Sequence, residues 1–513
     1  MLPLLQYLLL SLRSIHAEST NPINRCPLRP ASASIHRPPL ILGHRGASFH
    51  LPEHTLPSYR LALELGADYI EPDLVACKSG ELVAMHSVDL NGTTNVHDYN
   101  DGEFRSRARQ SDANNGAWGY YVNDFTWQEL QLLRVRQRVS HSGARSSSYD
   151  FMFGIPSFSQ IIDLLDDWNT RELPLIGRPS KVSGMPGLYV ELKRAQFFKD
   201  DANVSIADLF LDELASHPKA SELLFDHVTL CQGLQNDEYR VPPLVVQSFE
   251  GYTLEYLRSM FKQRWMDFVE EDAILAGGVI VTSTAAEDEI DHPWIPPMVL
   301  LVNSTFCRTT DFWSYVATYH ISGIGPDKSC LLPSESDVNE HKYSNIERAK
   351  KEAKEWVTKA HSEKIAVHPW TIRMEMESQG QAGGVPSLFS SVEEEIRHYY
   401  CELSIDGIFT ENIAAALIVG SAGCDTPSSE ASGWPLVGRG GPVCVEEERN
   451  LWFFGLSFLA LGIFIGSVMT CFAWACTNKG YCDGAIGSAR RQQSLPLPEV
   501  DTSIEEEDGH DVL

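Results

Sequence analysis

Positive charge is what this chain lacks most. Its 513 residues carry 41 Lys and Arg against 69 Asp and Glu, a formal charge of −28. Nucleic-acid backbones are held by clustered Lys and Arg. No stretch of the sequence forms such a basic arm, so nucleic acid is excluded as a partner. Long apolar runs are scarce too, and two of them bear on the compartment. The first is MLPLLQYLLLSLRSIHA. Its apolar core, Leu2 to Leu12, is too short to span a bilayer and is followed by a cleavable Ala17. It reads as a signal peptide, although its first residues lack Lys and Arg; the alternative is an N-terminal core helix. The second, LWFFGLSFLALGIFIGSVMTCFAWA, covers 451–475, 25 residues without a charge. At ~1.5 Å per residue it spans ~37 Å, enough for a ~30 Å hydrocarbon core with some tilt. Trp452 and Trp474 lie near its ends, where interfacial indoles belong. The 38 polar residues after it argue against a lipid-anchor signal.

A signal and one late span predict a single-pass protein of type I, with its N-terminal bulk extracellular or lumenal. The plasma membrane is the default; a vacuolar or other endomembrane location fits as well. Eight cysteines lie between the two segments: Cys26, Cys77, Cys231, Cys307, Cys330, Cys401, Cys424 and Cys444. That permits disulfides, and sequence proximity suggests Cys307–Cys330 and Cys424–Cys444. Of the glycosylation sequons, Asn203 and Asn303 are the credible sites, whereas Asn91 falls within the segment argued below to be catalytic.

From Leu40 onward, short β-rich runs recur: LILGHR, YIEPDLV, LYVELK, LVVQSF, VLLVN, GIGPDK, IAVHPW and DGIFTEN. Helical patterns such as LPSYRLALELGA, PSFSQIIDLLDDW and NIERAKKEAKEWVTKAHSEK separate them. Alternating strands and helices mean parallel βα units. Eight such units predict an α/β fold, a (β/α)8 TIM barrel. GELVAMHS reads as an extra hairpin strand after the second. Residues 99–148 read as an insertion after the second strand, around one helical pattern, TWQELQLLRVRQR, and near the barrel mouth. The predicted organisation is a signal at 1–17, a Pro-rich leader at 18–39, the barrel at 40–417, and a Gly/Pro/Ser-rich stalk at 418–450. The transmembrane helix at 451–475 and an acidic cytoplasmic tail at 476–513 follow.

Polar side chains gather at the C-terminal ends of these strands, where a barrel of this kind keeps its active site. In YIEPDLV, Glu71 and Asp73 are two apart, so their carboxylates share a face. Pro72 between them ends or kinks the strand. Two like charges on one face call for a cation, and oxygen ligands favour Ca²⁺ or Mg²⁺ over zinc; the bland alternative is a pair of solvated carboxylates. Glu191, inside the apolar YVELK, completes the set or else merely pairs with Lys193. His44 and His86 are two imidazoles, the side chains suited to proton transfer near neutral pH. Arg45 and Lys193 can hold a phosphate. Together these groups suit cleavage of a phosphodiester.

The run GHRGAS…LPEHTLPSY…GADYIEPDLV…GELVAMH, with IPSF, YVELK, VVQSF, VHPWTI and DGIFTEN after it, resembles the glycerophosphodiester phosphodiesterase family. It is most similar to the bacterial periplasmic, calcium-dependent branch. The resemblance covers roughly 40–415. It implies that His44 and His86 are the general acid/base pair, that Glu71, Asp73 and Glu191 bind one divalent metal ion, Ca²⁺ before Mg²⁺, and that Arg45 and Lys193 contact phosphate. It further implies that Glu53 organises the site from behind and that Phe249 and Trp370 line the substrate pocket. Two positions depart from the family: Ser87 stands where an Asp usually follows the second His, and the closing motif is TENI, with Glu411 in the acidic place. The implied activity is hydrolysis of a small glycerophosphodiester, such as glycerophosphocholine, to sn-glycerol 3-phosphate and an alcohol. The alternatives are lysophospholipid or glycosylphosphatidylinositol cleavage at the membrane, and a silent surface-binding barrel. No feature names a protein partner.

Overall fold

A computed structural model describes residue 28 and residues 38–138, 145–176, 185–225, 242–264, 295–333, 343–375, 386 and 388–424. The segments read as signal peptide, membrane helix and tail, and the predicted stalk beyond residue 424, lie outside the described residues; the stalk's first residues, from Ile418 to Ala422, instead complete the last described helix, Ile413–Ala422. Among the described residues no helix is long and apolar enough to cross a membrane.

Among the described residues the first elements are β1 (Leu40–His44), α1 (Leu56–Leu65), β2 (Tyr69–Glu71), β3 (Asp73–Ala76) and β4 (Leu82–Ala84). The hairpin strands β5 (Arg109–Ser111) and β6 (Ala117–Gly119) precede α2 (Phe158–Asp167) and β7 (Gly187–Leu192). Then come α3 (Ala195–Ala202), α4 (Ile206–Ser216), β8 (Leu244–Ser248), α5 (Gly251–Gln263) and β9 (Met298–Val302). The remainder is α6 (Phe312–Val316), β10 (Gly323–Pro326), α7 (Tyr343–Ser362), β11 (Ala366–Val367), α8 (Val392–Arg397), β12 (Gly407–Thr410) and α9 (Ile413–Ala422). Eight strands pair in the order β11-β10-β9-β8-β7-β2-β1-β12, and every pair along that path is parallel. Asp406 N donates to Val367 O at 3.1 Å and Ile372 N to Phe409 O at 2.8 Å, bringing β12 against the β11 segment. The result is a nearly closed eight-stranded barrel of the TIM type.

Period-two alternation explains both the core and the site. Leu40, Leu42, Tyr69, Tyr189, Val245, Val299, Ala366 and Phe409 form one buried inner cluster. Continuing five of these strands by two residues, from Leu42, Tyr69, Tyr189, Val245 and Phe409, reaches His44, Glu71, Glu191, Gln247 and Glu411 at the C-terminal rim. The same rows therefore supply an apolar floor and a polar mouth. Leu28, from the stretch read as a leader, is buried in this inner cluster. The other strand face packs on the helices, with Ile41, Ile70, Leu188, Val190 and Leu300 in the larger core.

Pro72 divides the second strand as expected. β2 pairs with β1 and β7, and β3, which starts at Asp73, turns to pair antiparallel with β4. The insertion departs from its predicted helix. TWQELQLLRVRQR gives one helical turn, Trp127–Leu130, capped by Thr126. Beyond it the backbone is claimed by extended partners: Arg134 N donates to Asn95 Oδ1, Val135 N to Phe153 O and Phe151 N to Val135 O. Long-range pairing outweighs helix propensity there. Asp201 of α3 anchors the insertion by accepting from Arg109, Ser111 and Asn123.

Cysteines 307 and 330 are joined, as proximity suggested. Cys424 is joined to Cys401 rather than to Cys444. Packing of α8 against α9 brings the segments after these two helices together, which sequence spacing cannot show. Cys444 lies outside the described residues. Cys77 is buried and free.

Candidate active site

Local backbone geometry assembles the first part of the site. After β1 the chain turns through Arg45 (φ 61) and Gly46 (φ 88). A Cβ at Gly46 would stand 2.7 Å from the Ser58 carbonyl carbon, so only glycine permits this approach to α1. The turn aims the Arg45 amide at Glu71 Oε2, 2.8 Å away. His54 also has positive φ, 52, and its amide returns to Arg45 O. Backbone held in this sparsely populated region costs about 1–3 kcal/mol per residue and clusters at functional sites.

The three predicted metal ligands converge. Glu71, Asp73 and Glu191 are buried and offer oxygens that all lie within 4.8 Å of one another. At that separation each pair of ionised carboxylates repels by roughly 3 kcal/mol, taking an effective dielectric of about 20. Burial, and then the charges of Asp73 and Glu191, push the Glu71 carboxyl well above its usual range. Burial also pushes Glu191 up to about 8, against the pull of Lys193. Asp73 goes the other way: although burial alone would raise it, Lys193, His54 and Arg45 hold it well below.

The oxygens have distinct partners. Asp73 Oδ2 accepts from His54 Nε2 at 2.9 Å and forms an ion pair with Arg45, whose Nε lies 3.4 Å away. Asp73 Oδ1 is buried without a partner, and so is Gln247 Oε1. Gln247 Nε2 donates to Glu71 Oε1 at 2.9 Å. Lys193 Nζ lies 3.0 Å from Glu191 Oε1 and 4.0 Å from Asp73 Oδ2. Buried, mutually repelling carboxylates with an orphaned oxygen among them fit a hard divalent cation.

Around this cluster stand the other predicted residues. His44 places Nδ1 3.3 Å from Glu411 Oε1. A carboxylate accepts only, so Nδ1 carries the hydrogen and Nε2 is the nitrogen left for chemistry. Burial, then the nearby Arg45 charge, lowers His44 to about 4. His86, half-buried, puts Nδ1 3.0 Å from Ser87 Oγ, so the residue that departs from the expected pattern is its hydrogen-bond partner. Burial, followed by the Arg45, Lys193 and Arg138 charges, lowers His86 well below its ordinary value. Glu53 takes Arg45 at 3.1 Å and Arg138 at 3.2 Å. Phe249 and Trp370 meet edge to face at 5.7 Å between ring centroids, and Lys193 Nζ is 6.0 Å from the Phe249 ring. Phe249 remains 37% exposed, giving the mouth an apolar rim.

Sequence reasoning missed several partners. His54 lies in the quoted LPEHT, yet its bond to Asp73 and that of its Nδ1 to Tyr59 Oη at 2.7 Å were unforeseen. Histidine spacing on a loop carries no signal for such a pair. Arg138 and Arg145 come from the insertion, and Glu375 from the loop after β11; each meets its partner across 85 or more positions.

Comparison with known proteins places this geometry. Residues 44–207 match the glycerophosphoryl diester phosphodiesterase family. A glycerophosphodiester phosphodiesterase of Arabidopsis thaliana is 27% identical over 416 residues, 80% of this chain and 94% of the relative. One from Haemophilus influenzae is 34% identical over 160 residues, 31% of this chain and 40% of the relative. A solved glycerophosphoryl diester phosphodiesterase structure from Parabacteroides distasonis covers 78% of this chain and 90% of its own, at 15% identity and a TM-score of 0.41. His44, Arg45, Glu71, Asp73, His86, Glu191 and Lys193 fall inside the matched segment, whereas Gln247, Trp370 and Glu411 lie beyond it; on this similarity to glycerophosphodiester phosphodiesterases the chain is an enzyme that hydrolyses phosphoric diesters.

Proposed function

We propose that the enzyme is a divalent-metal-dependent hydrolase of small glycerophosphodiesters, glycerophosphocholine among them, releasing sn-glycerol 3-phosphate and an alcohol. The observation that carries this reading is the buried Glu71–Asp73–Glu191 cluster beside His44 and Arg45 at the mouth of the barrel. Glu71, Asp73 and Glu191 would hold the ion; their all-oxygen donor set suits Ca²⁺ or Mg²⁺ rather than zinc, and the resemblance to the calcium-dependent branch puts Ca²⁺ first. When bound, a divalent cation supplies positive charge that offsets and polarises the phosphoryl group.

The chain's own residues do the rest. Arg45, already oriented by Glu53 and Asp73, binds phosphoryl oxygens with its planar fork. Lys193 joins it once its ammonium is no longer the main counter-charge of Glu191. His44, neutral and with Nδ1–H on Glu411, takes a proton at Nε2 from the nucleophile, either water or the glycerol 2-hydroxyl. His86, neutral in the empty site, takes up a proton as the anionic diester enters and offsets the surrounding positive charge, and delivers that proton to the leaving alcohol oxygen. If the 2-hydroxyl attacks, its oxygen bonds to phosphorus as the alcohol leaves, and water then opens the cyclic ester. Phe249 and Trp370 pack on the carbon skeleton of the substrate, and Glu53 keeps Arg45 in place.

We further propose a single-pass type I membrane protein with the barrel outside the cytosol, at the plasma membrane or in a vacuolar or other endomembrane. The two disulfides in the barrel support an oxidising compartment.

The test is release of glycerol 3-phosphate from glycerophosphocholine by the purified full chain, with Ca²⁺, with Mg²⁺ and with chelator. His44→Ala and His86→Ala serve as controls and are expected to lower kcat by about 10²–10⁴ while the fold is kept. Ion binding without release from any small diester would replace this substrate class with lysophospholipids or glycolipids. Absence of both ion binding and release would sink the reading.

A further inference from the structure

Arg145 arrives from the insertion and is buried to 1% side-chain exposure. Its guanidinium meets three acceptor groups. Nε donates to Glu375 Oε1 at 2.5 Å, and Nη2 to Glu375 Oε2 at 3.2 Å and to Glu411 Oε2. Nη1 donates to the Ser48 carbonyl at 3.3 Å. The other oxygen of Glu411, Oε1, accepts from His44 Nδ1 and from Arg373 Nε, each at 3.3 Å. The Ser48 hydroxyl in turn donates to the His44 carbonyl at 2.8 Å. Arg145 therefore reaches His44 along two routes, one through the imidazole's carboxylate partner and one through its main chain.

Both routes address the orientation of one ring. The His44–Glu411 bond is long, so its geometry depends on how firmly Glu411 is held. A single bond to a buried carboxylate leaves rotation about its Cγ–Cδ bond; the guanidinium on Oε2 removes that freedom and points Oε1 at Nδ1. Burial alone would make Glu411 a weak acid, yet Arg145 and then Arg373 hold it well below the usual range, so it stays an acceptor. Glu375, by contrast, has no bond to His44. A simple tether for the insertion would need only the Arg145–Glu375 pair.

We propose that Arg145 is a positioning residue for catalysis: acting through Glu411, it fixes the orientation and tautomer of His44 and makes the insertion after the second strand part of the reaction machinery. This rests on the reading of His44 as a proton-transfer group.

The experiment uses the full chain with glycerophosphocholine and Ca²⁺, and compares Arg145→Lys, Arg145→Ala and Glu375→Gln with the natural protein. Lys keeps the charge but loses the fork. Misplacing a reacting group by ~1 Å costs on the order of 100-fold, so both Arg145 variants are expected to lose about 10–100-fold in kcat. KM and the Ca²⁺ dissociation constant stay within about three-fold, since neither the phosphate contacts nor the ion ligands change. Added guanidinium restores part of the kcat of Arg145→Ala. Glu375→Gln, which weakens the tether and spares Glu411, lowers the melting temperature and leaves kcat within about two-fold. Unchanged kcat in folded Arg145→Lys would overturn the proposal. So would an equal kcat loss in Glu375→Gln, which would make Arg145 a tether only. A natural protein that binds Ca²⁺ but leaves glycerophosphocholine and other small diesters intact would overturn the substrate reading first, and this inference with it.

Discussion

At the scale of single residues, the carboxylate cluster and its neighbours determine how the site responds to pH and to substitution. His54 is the least obvious of these neighbours. Its Nε2–H must donate to Asp73, because a carboxylate only accepts, and so the Tyr59 hydroxyl donates to Nδ1. That chain pins Asp73 Oδ2 and leaves Oδ1 for a cation. Partners behind metal ligands are worth about 10–100-fold in affinity. His54→Ala is expected to weaken divalent-ion binding by that factor in calorimetry, with Tyr59→Phe in the same direction and smaller. The pH dependence follows from Glu191, held at about 8 when no ion is present. Its proton must leave as the ion enters, so Ca²⁺ affinity rises with pH toward 8. In the ion-free protein the folded state keeps that proton, whereas the unfolded chain releases it above its ordinary value of 4.5. Stability from this group is full below the unfolded value and is lost as pH rises through about 8. The lowered His44 and His86 act in the opposite sense, but only below their ordinary value of 6.5. Between about 6.5 and 8 the melting temperature of ion-free protein should therefore fall, and saturating Ca²⁺ should abolish the slope. A flat ion-free profile would contradict the assignment.

At the scale of elements, the turn after β1 links fold to chemistry. Gly46→Ala places a methyl group against the Ser58 backbone at a positive φ. The expected cost is more than about 1 kcal/mol of stability in thermal melts, because both strain and clash are involved. Activity should fall further than stability, since the same turn aims the Arg45 amide at Glu71. Most of this architecture is readable in advance because strand periodicity carries it. Apolar runs ending in His44, Glu71, Glu191 or Glu411 show by alternation that the last inward residue is polar, and barrel geometry puts those ends together. Elements defined by distant partners are not readable in this way. The periodic LQLLRVRQR ends its helix because Asn95 and Phe153 bind its backbone. Cys424 finds Cys401 through helix packing that spacing does not encode. Arg145 looks like one more exposed arginine in a polar insertion until the loops bearing Glu375 and Glu411 close around it.

At the scale of the whole molecule, the barrel concentrates negative charge inside a protein that is already strongly acidic, and under the proposed function a divalent ion is what makes that arrangement useful. Metal, substrate and protons then meet at one rim, with the insertion closing one side of it. The central claim is that the same ion organises the carboxylates and supports the reaction. The most direct measurement titrates free Ca²⁺ and records, on one preparation of the full chain, both ion binding and release of glycerol 3-phosphate from glycerophosphocholine, beside Asp73→Asn. The account predicts one tight ion per chain, half-maximal activity at half-saturation, and loss of both in the variant. Full activity in excess chelator, or in an Asp73→Asn protein that no longer binds the ion, would contradict it.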